Sequence, residues 1–302
     1  MRVSWPIILS NLTVPLLGVV DTAVLGHLDD PSQLAGVVLG ATIFSFLYWG
    51  VGFLRIGTTA LIAQAVGRNA PDRVAATLIR SIILAAIFAG VIFALQILPL
   101  WVAHATFNSE PPVMQAMEGY YNIGIYGALP TLVVYCLMGW LVGCERPKLL
   151  LVVTVTINGT NIVLDIVFVY GMGLEAGGVA LASVLAQTVG MVMIGWFAWQ
   201  EKLFMDWREQ ALVSFDSYIA LLKINGYLFC RNLIMIFGFT WFVMKGAEFG
   251  VVILAANAVT MNFFQIAAFA FDGFAMAIET LVGQSVGARD RKKFQQQVKA
   301  LM

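Results

Sequence analysis

Apolar residues run through this chain in long blocks with almost no two-residue alternation, separated by short polar loops. Eight blocks are long enough to cross a membrane as helices, at roughly 4–26, 34–66, 74–103, 115–144, 149–171, 177–200, 217–244 and 251–287. Backbone groups in lipid must be satisfied within a helix or a closed barrel, and unbroken blocks select helices. The pattern predicts an all-α polytopic membrane protein with about eight transmembrane helices. The block after Arg2 is too long for the apolar core of a signal peptide, contains an aspartate and lacks a small-residue cleavage site. It is expected to be retained as a span.

Loop charge orients these spans. With the N-terminus in the cytoplasm, the inner segments and inner helix ends hold 13 of the 17 basic residues, and the outer loops hold one, Lys245. That asymmetry is the positive-inside signature. Arg55, Arg80 and Arg231 fall inside spans, and the outer loops carry acids such as Asp29, Asp30, Glu110 and Glu175.

Residues 63–73, AQAVGRNAPDR, resemble residues 283–293, GQSVGARDRKK, at an offset of 220. Gln64, Val66 and Gly67 recur as Gln284, Val286 and Gly287, each copy ending an apolar block on the inner side. The copies are six crossings apart, an even number, so the repeats run parallel about an axis along the membrane normal, as in some secondary transporters. The expected organisation is a six-helix N-lobe over 1–200, a cytoplasmic linker over 201–216 and a partial C-lobe of two helices over 217–302. On this reading about four helices of the second repeat lie outside the chain, which is expected to export poorly alone.

Six ionisable residues inside spans need an explanation, because charge in lipid is costly: Asp21, Arg55, Asp165, Arg231, Asp272 and Glu279. Thr154, Asn158, Asn161 and Asp165 form one polar stripe along the fifth block, and Ser183 and Gln187 lie one turn apart in the sixth. By helical rise, Asp21, Asp165, Asn161 and Ser183 can share a layer in the outer half of the membrane. Gln265, Asp272 and Glu279 form a second stripe in the eighth block, within reach of pairing with Arg231 and Arg55. Pro6, Pro15 and Pro130 make their spans easier to bend. Gly36/Gly40 and Gly139/Gly143 permit close helix packing.

Composition narrows the function. The chain is 60% hydrophobic and 11% charged with zero formal net charge, against roughly a quarter charged in soluble domains. A soluble, disordered or nucleic-acid-binding protein is excluded. Cys136, Cys144 and Cys230 are widely spaced and read as buried apolar residues, and no metal-ligand spacing exists. No GxxxxGK[ST] motif or nucleophile–base pair is present, so neither nucleotide hydrolysis nor an enzyme is expected, and no cofactor. An ion gradient would supply the energy for transport.

The segments VPLLGVVDTAVLGHLDDPSQLAGV (14–37), FLRIGTTALIAQAVGRNAP (53–71), NIVLDIVFVYGMGLEAGGVALASV (161–184) and FDGFAMAIETLVGQSVGARD (271–290) resemble the multidrug and toxic compound extrusion (MATE) transporters. They are most similar to the DNA-damage-inducible protein F (DinF) branch. The resemblance implies two six-helix lobes around a central cavity in the bacterial cytoplasmic membrane. It also implies export of small cationic or amphipathic molecules in exchange for protons or sodium ions. Asp21, the Asn161–Asp165 pair and Ser183 match residues that line the family's N-lobe cavity, and Asn158 and Gln187 extend the same polar faces. Arg231 stands where sodium-coupled relatives carry an acid, which favours protons. A lipid-linked sugar flippase of the same superfamily and a transport-inactive membrane fragment are the alternatives. Membrane lipids and small molecules are the expected partners.

Overall fold

The computed structural model describes residues 5–7, 9–10, 24–26, 30–107, 109–201, 215–248 and 251–301. Among these the chain is helical throughout, with no strand. The helices are α1 (Pro31–Val51), α2 (Phe53–Gly67), α3 (Pro71–Ala94), α4 (Ile97–Thr106), α5 (Pro111–Gly124), α6 (Ala128–Gly143), α7 (Pro147–Asp165), α8 (Glu175–Gln200), α9 (Phe215–Glu248), α10 (Val251–Gly287) and α11 (Arg291–Leu301). Among the described residues, five stretches have the length and hydropathy of a span: Pro31–Gly67, Pro71–Ala94, Pro111–Gly143, Pro147–Gly171 and Glu175–Gln200. Most of block 4–26 and of linker 201–216 lies outside the described residues.

Three blocks that read as continuous are interrupted. Block 34–66 breaks at Gly52, where two glycines in three residues weaken the helix. Block 74–103 breaks at Leu95–Gln96. Pro99 has no N–H to give to the Leu95 carbonyl four residues earlier and its ring crowds that oxygen. Block 115–144 passes through a tight 3-10 turn, Ile125–Gly127, just before Pro130. After Asp165 the fifth span widens into a π-helical turn, Ile166–Gly171.

Small residues set the helix spacing. A Cβ on Gly36 would come within 2.7 Å of the Met117 backbone nitrogen, so α1 lies directly against α5. A Cβ on Gly139 would approach the Arg55 carbonyl oxygen to 2.7 Å, and one on Gly143 the Thr59 carbonyl oxygen to 3.0 Å, which seats α6 on α2. The main core lies between α2, α3, α6, α7 and α8, around fully buried Leu54, Ile62, Leu78, Leu132, Leu141 and Trp140. Cys136 belongs to it, but Cys144 is half-buried and Cys230 is exposed on α9. Lipid is as apolar as a protein core, so in a membrane protein hydrophobicity alone does not place a residue such as Cys230 inside.

The repeat appears in the packing. Three helices end in the same cap, with a left-handed residue after the last turn: Asn69 (φ 53°) after α2, Glu145 (φ 55°) after α6 and Arg289 (φ 54°) after α10. Ala70 N donates to Ala65 O at 3.1 Å and Asp290 N to Ser285 O at 3.1 Å, and Arg146 N donates to Leu141 O at 2.8 Å. This is the Schellman closure. The ends of α2 and α10 also meet reciprocally. A Cβ on Gly67 would fall on the Gln284 carbonyl, one on Gly287 on the Gln64 carbonyl, and one on Gly283 within 2.9 Å of Ala63 Cβ. Residues 220 apart thus exchange partners, the mark of a local two-fold axis passing near Ala63 and Gly283. Thr280 Oγ1 donates to Val142 O at 3.2 Å and Gln284 Nε2 to Gly143 O at 3.3 Å, which joins α6 to the seam.

Candidate functional site

Asp165 ends α7 and is fully buried. The π-helical turn that follows is a wider form found often at functional positions. Asn161, one turn earlier, is buried and donates from Nδ2 to Ser183 Oγ of α8 at 3.3 Å. Of the four residues expected to share a layer, Asp21, Asn161, Asp165 and Ser183, the structure brings Asn161 and Ser183 into contact. Asn158 and Gln187 are half-buried, one turn before Asn161 and one turn after Ser183. Asp21 lies outside the described residues.

Two contacts that sequence reasoning missed tie the first span to this stripe. Ser10 Oγ donates to Thr154 Oγ1 at 2.6 Å, and Thr154 in turn donates to its own helix at Leu150 O, 2.9 Å away. Near the other end of the span, Tyr170 Oη in the π-helical turn donates to Val24 O at 2.7 Å. The polar stripe of α7 was the available signal for the first contact, since Thr154 can also accept a hydrogen bond from a neighbouring span. The tyrosine gave none.

On the second-lobe side, Arg55 of α2 is half-buried and its Nη2 approaches Met276 Sδ at 3.4 Å. It lies within electrostatic reach of Asp272 and Glu279, and Arg231 of α9 lies within reach of Glu279. Arg231 also donates to Asn232 Oδ1 at 3.3 Å. Gln265 lies on α10, and its side chain is outside the described set. Arg80 of α3, the third arginine inside a span, is buried. No group of three or more His, Cys, Asp or Glu residues forms a metal cluster among the described residues.

Long apolar helices around a buried polar layer define a polytopic α-helical membrane protein. A family model described as MatE matches residues 6–167 and 228–302, and the chain belongs to this MATE family. It is 38% identical over 300 residues to DNA damage-inducible protein F of Escherichia coli K12, covering 96% of this chain and 63% of that protein. It is 22% identical to the probable multidrug resistance protein NorM of Bacillus subtilis strain 168, covering 95% of this chain and 65% of that one. The chain thus spans just under two thirds of the length of these relatives. A MATE structure in a bent conformation superposes with TM-score 0.90 at 20% identity over 99% of this chain and 67% of the other. An outward-facing multidrug resistance MATE transporter superposes with TM-score 0.87 at 20% identity over 99% and 68%.

Proposed function

We propose that this chain carries the first-lobe coupling site of a secondary antiporter that exports organic cations or amphipathic toxic compounds in exchange for protons. The membrane is the bacterial cytoplasmic membrane, with the N-terminus in the cytoplasm. The observation that carries the reading is the buried Asp165 beside the Asn161–Ser183 contact, with the first span tied to the same helix on both sides of it. Asp21 is eleven residues beyond Ser10, and Asp165 is eleven beyond Thr154. Eleven residues make about three helical turns. A helical first span starting from the Ser10–Thr154 contact would carry Asp21 to the depth and face of Asp165.

Two carboxyl groups in so apolar a place cannot both keep their charge without a positive partner. A proton or a substrate cation serves equally, and each excludes the other. In the outward-open state, a proton arriving from outside displaces the bound cation and lets the first span repack against α7 and α8. The protein then turns inward, loses the proton to the cytoplasm and binds a new cation. Asn161 and Ser183 orient the Asp165 carboxyl, while Asn158 and Gln187 extend the polar wall inward. A sugar-lipid flippase would need an excess of positive charge for a pyrophosphate. Here Arg55 and Arg231 face two carboxylates instead.

The test is efflux of tetraphenylphosphonium from proteoliposomes under an imposed pH gradient. The protein is the chain extended by the last third of its Escherichia coli relative. Asp21→Asn and Asp165→Asn should each abolish pH-driven efflux at equal protein content. Wild-type efflux in both variants, or efflux driven by sodium alone, would count against the reading.

A further inference from the structure

Arg55 stands twelve residues from the inner end of α2 at Gly67, about 18 Å along the helix axis. Its backbone is fixed in the first lobe by the close approach at Gly139, where a Cβ would come within 2.7 Å of the Arg55 carbonyl oxygen. Its guanidinium crosses to the second lobe and rests on Met276, which is buried. Met276 is four residues after Asp272 and three before Glu279, spacings that place all three on one face of α10. Asp272 and Glu279 therefore stand one turn to either side of Met276 on that face, within electrostatic reach of the guanidinium. Tyr135 of α6 is also within electrostatic reach of Arg55, as Arg231 of α9 is of Glu279. A thioether is a weak acceptor and does not explain a guanidinium placed in mid-membrane, whereas two flanking carboxylates do.

We propose that Arg55 is an electrostatic tie between the lobes, a clasp formed by a first-lobe guanidinium within electrostatic reach of Asp272 and Glu279 of the second. It acts as a positioning residue for the seam below it. From Arg55 to Gly67 is twelve residues and from Met276 to Gly287 is eleven, so α2 and α10 run side by side from the clasp to the seam. Removing the clasp's charge leaves the seam held by its inner contacts alone. This inference is separate from the Asp21–Asp165 reading, and either can fail without the other.

The test measures the seam directly. Arg68 and Ala288, exposed and 220 residues apart, are replaced by cysteines in the full chain after the native cysteines are changed to alanine. Spin labels there report the distance between the inner ends of α2 and α10 in nanodiscs by pulsed electron paramagnetic resonance. The parent gives one dominant short distance. Arg55→Met keeps the size and the Met276 contact but loses the charge. It should raise the ratio of long-distance to short-distance population about tenfold, a value discounted for the half-exposed site. Arg55→Lys, which keeps the charge, should restore the parent distribution, which a packing role would not require. Asp272→Asn/Glu279→Gln removes the other side of the clasp and should open the seam as Arg55→Met does, and it serves if Arg55→Met does not fold. An unchanged distribution in Arg55→Met or in the double carboxamide variant overturns the tie.

Discussion

Replacing Gly67 by alanine should open the seam between the lobes. The new Cβ would fall on the Gln284 carbonyl and come within 2.9 Å of the Gln284 Cα, whereas unstrained carbon pairs prefer about 3.5–4.0 Å. The obstacle is backbone, so no rotamer change relieves it and α2 and α10 must move apart. Overpacking of this kind costs about 1–3 kcal/mol. A middle value of about 2 kcal/mol corresponds to a roughly 30-fold shift toward the open seam. Gly287→Ala should cost the same, because its Cβ would meet the Gln64 carbonyl and come within 2.9 Å of the Gln64 Cα. The double variant should cost less than the sum, since a seam opened once no longer resists the second methyl group. The reporter is a cysteine at position 63, where the native Ala63 is fully buried at the axis, in a chain otherwise free of cysteine. Its labelling rate with N-ethylmaleimide follows the open population. Gly90→Ala and Gly238→Ala, whose Cβ atoms would meet nothing within 4 Å, are the controls. Equal labelling of the parent and Gly67→Ala, or a response at Gly67 without one at Gly287, would refute the two-fold seam.

Asp30 accepts from Ser32 N at 2.9 Å and from Ser32 Oγ at 2.5 Å, and these bonds hold its carboxyl below the usual carboxylate range. A lowered folded-state pKa gives a contribution present above the ordinary value and lost as pH falls through the lowered one. The melting temperatures of the parent and Asp30→Asn in detergent should therefore differ at neutral pH and converge in acid; a constant gap would contradict a stabilising role of the Asp30 charge. Charge asymmetry places Asn69 inside and Ser109 outside, so single cysteines there should be labelled from opposite sides of the membrane, and labelling of both from one side would contradict the topology.

Much of this architecture was legible because lipid allows so few backbone solutions. The fifth and sixth spans announced themselves, and the Asn161–Ser183 contact follows from polar residues that had to meet inside the bundle. The repeat was visible as Gln64–Gly67 against Gln284–Gly287, but its meaning as a reciprocal seam was not. Glycines report a close approach without naming the partner. The break at Leu95–Gln96 had a signal in Pro99, four residues on, which hydropathy outweighed. The π-helical turn after Asp165 had none, since widening one turn needs no special residue. Arg55 could be matched to an acid by counting charges, yet its seat on Met276 depends on how α2 and α10 cross, which periodicity does not give.

Proton release on binding an organic cation tests the central claim most directly, because it needs neither a gradient nor a complete transport cycle. Tetraphenylphosphonium is titrated into the purified chain in weakly buffered detergent at neutral pH, and protons are followed with an indicator dye. The account predicts release that saturates with binding, and its loss in Asp165→Asn at unchanged yield and helicity. Cation binding without proton release, or equal release from Asp165→Asn, would contradict it.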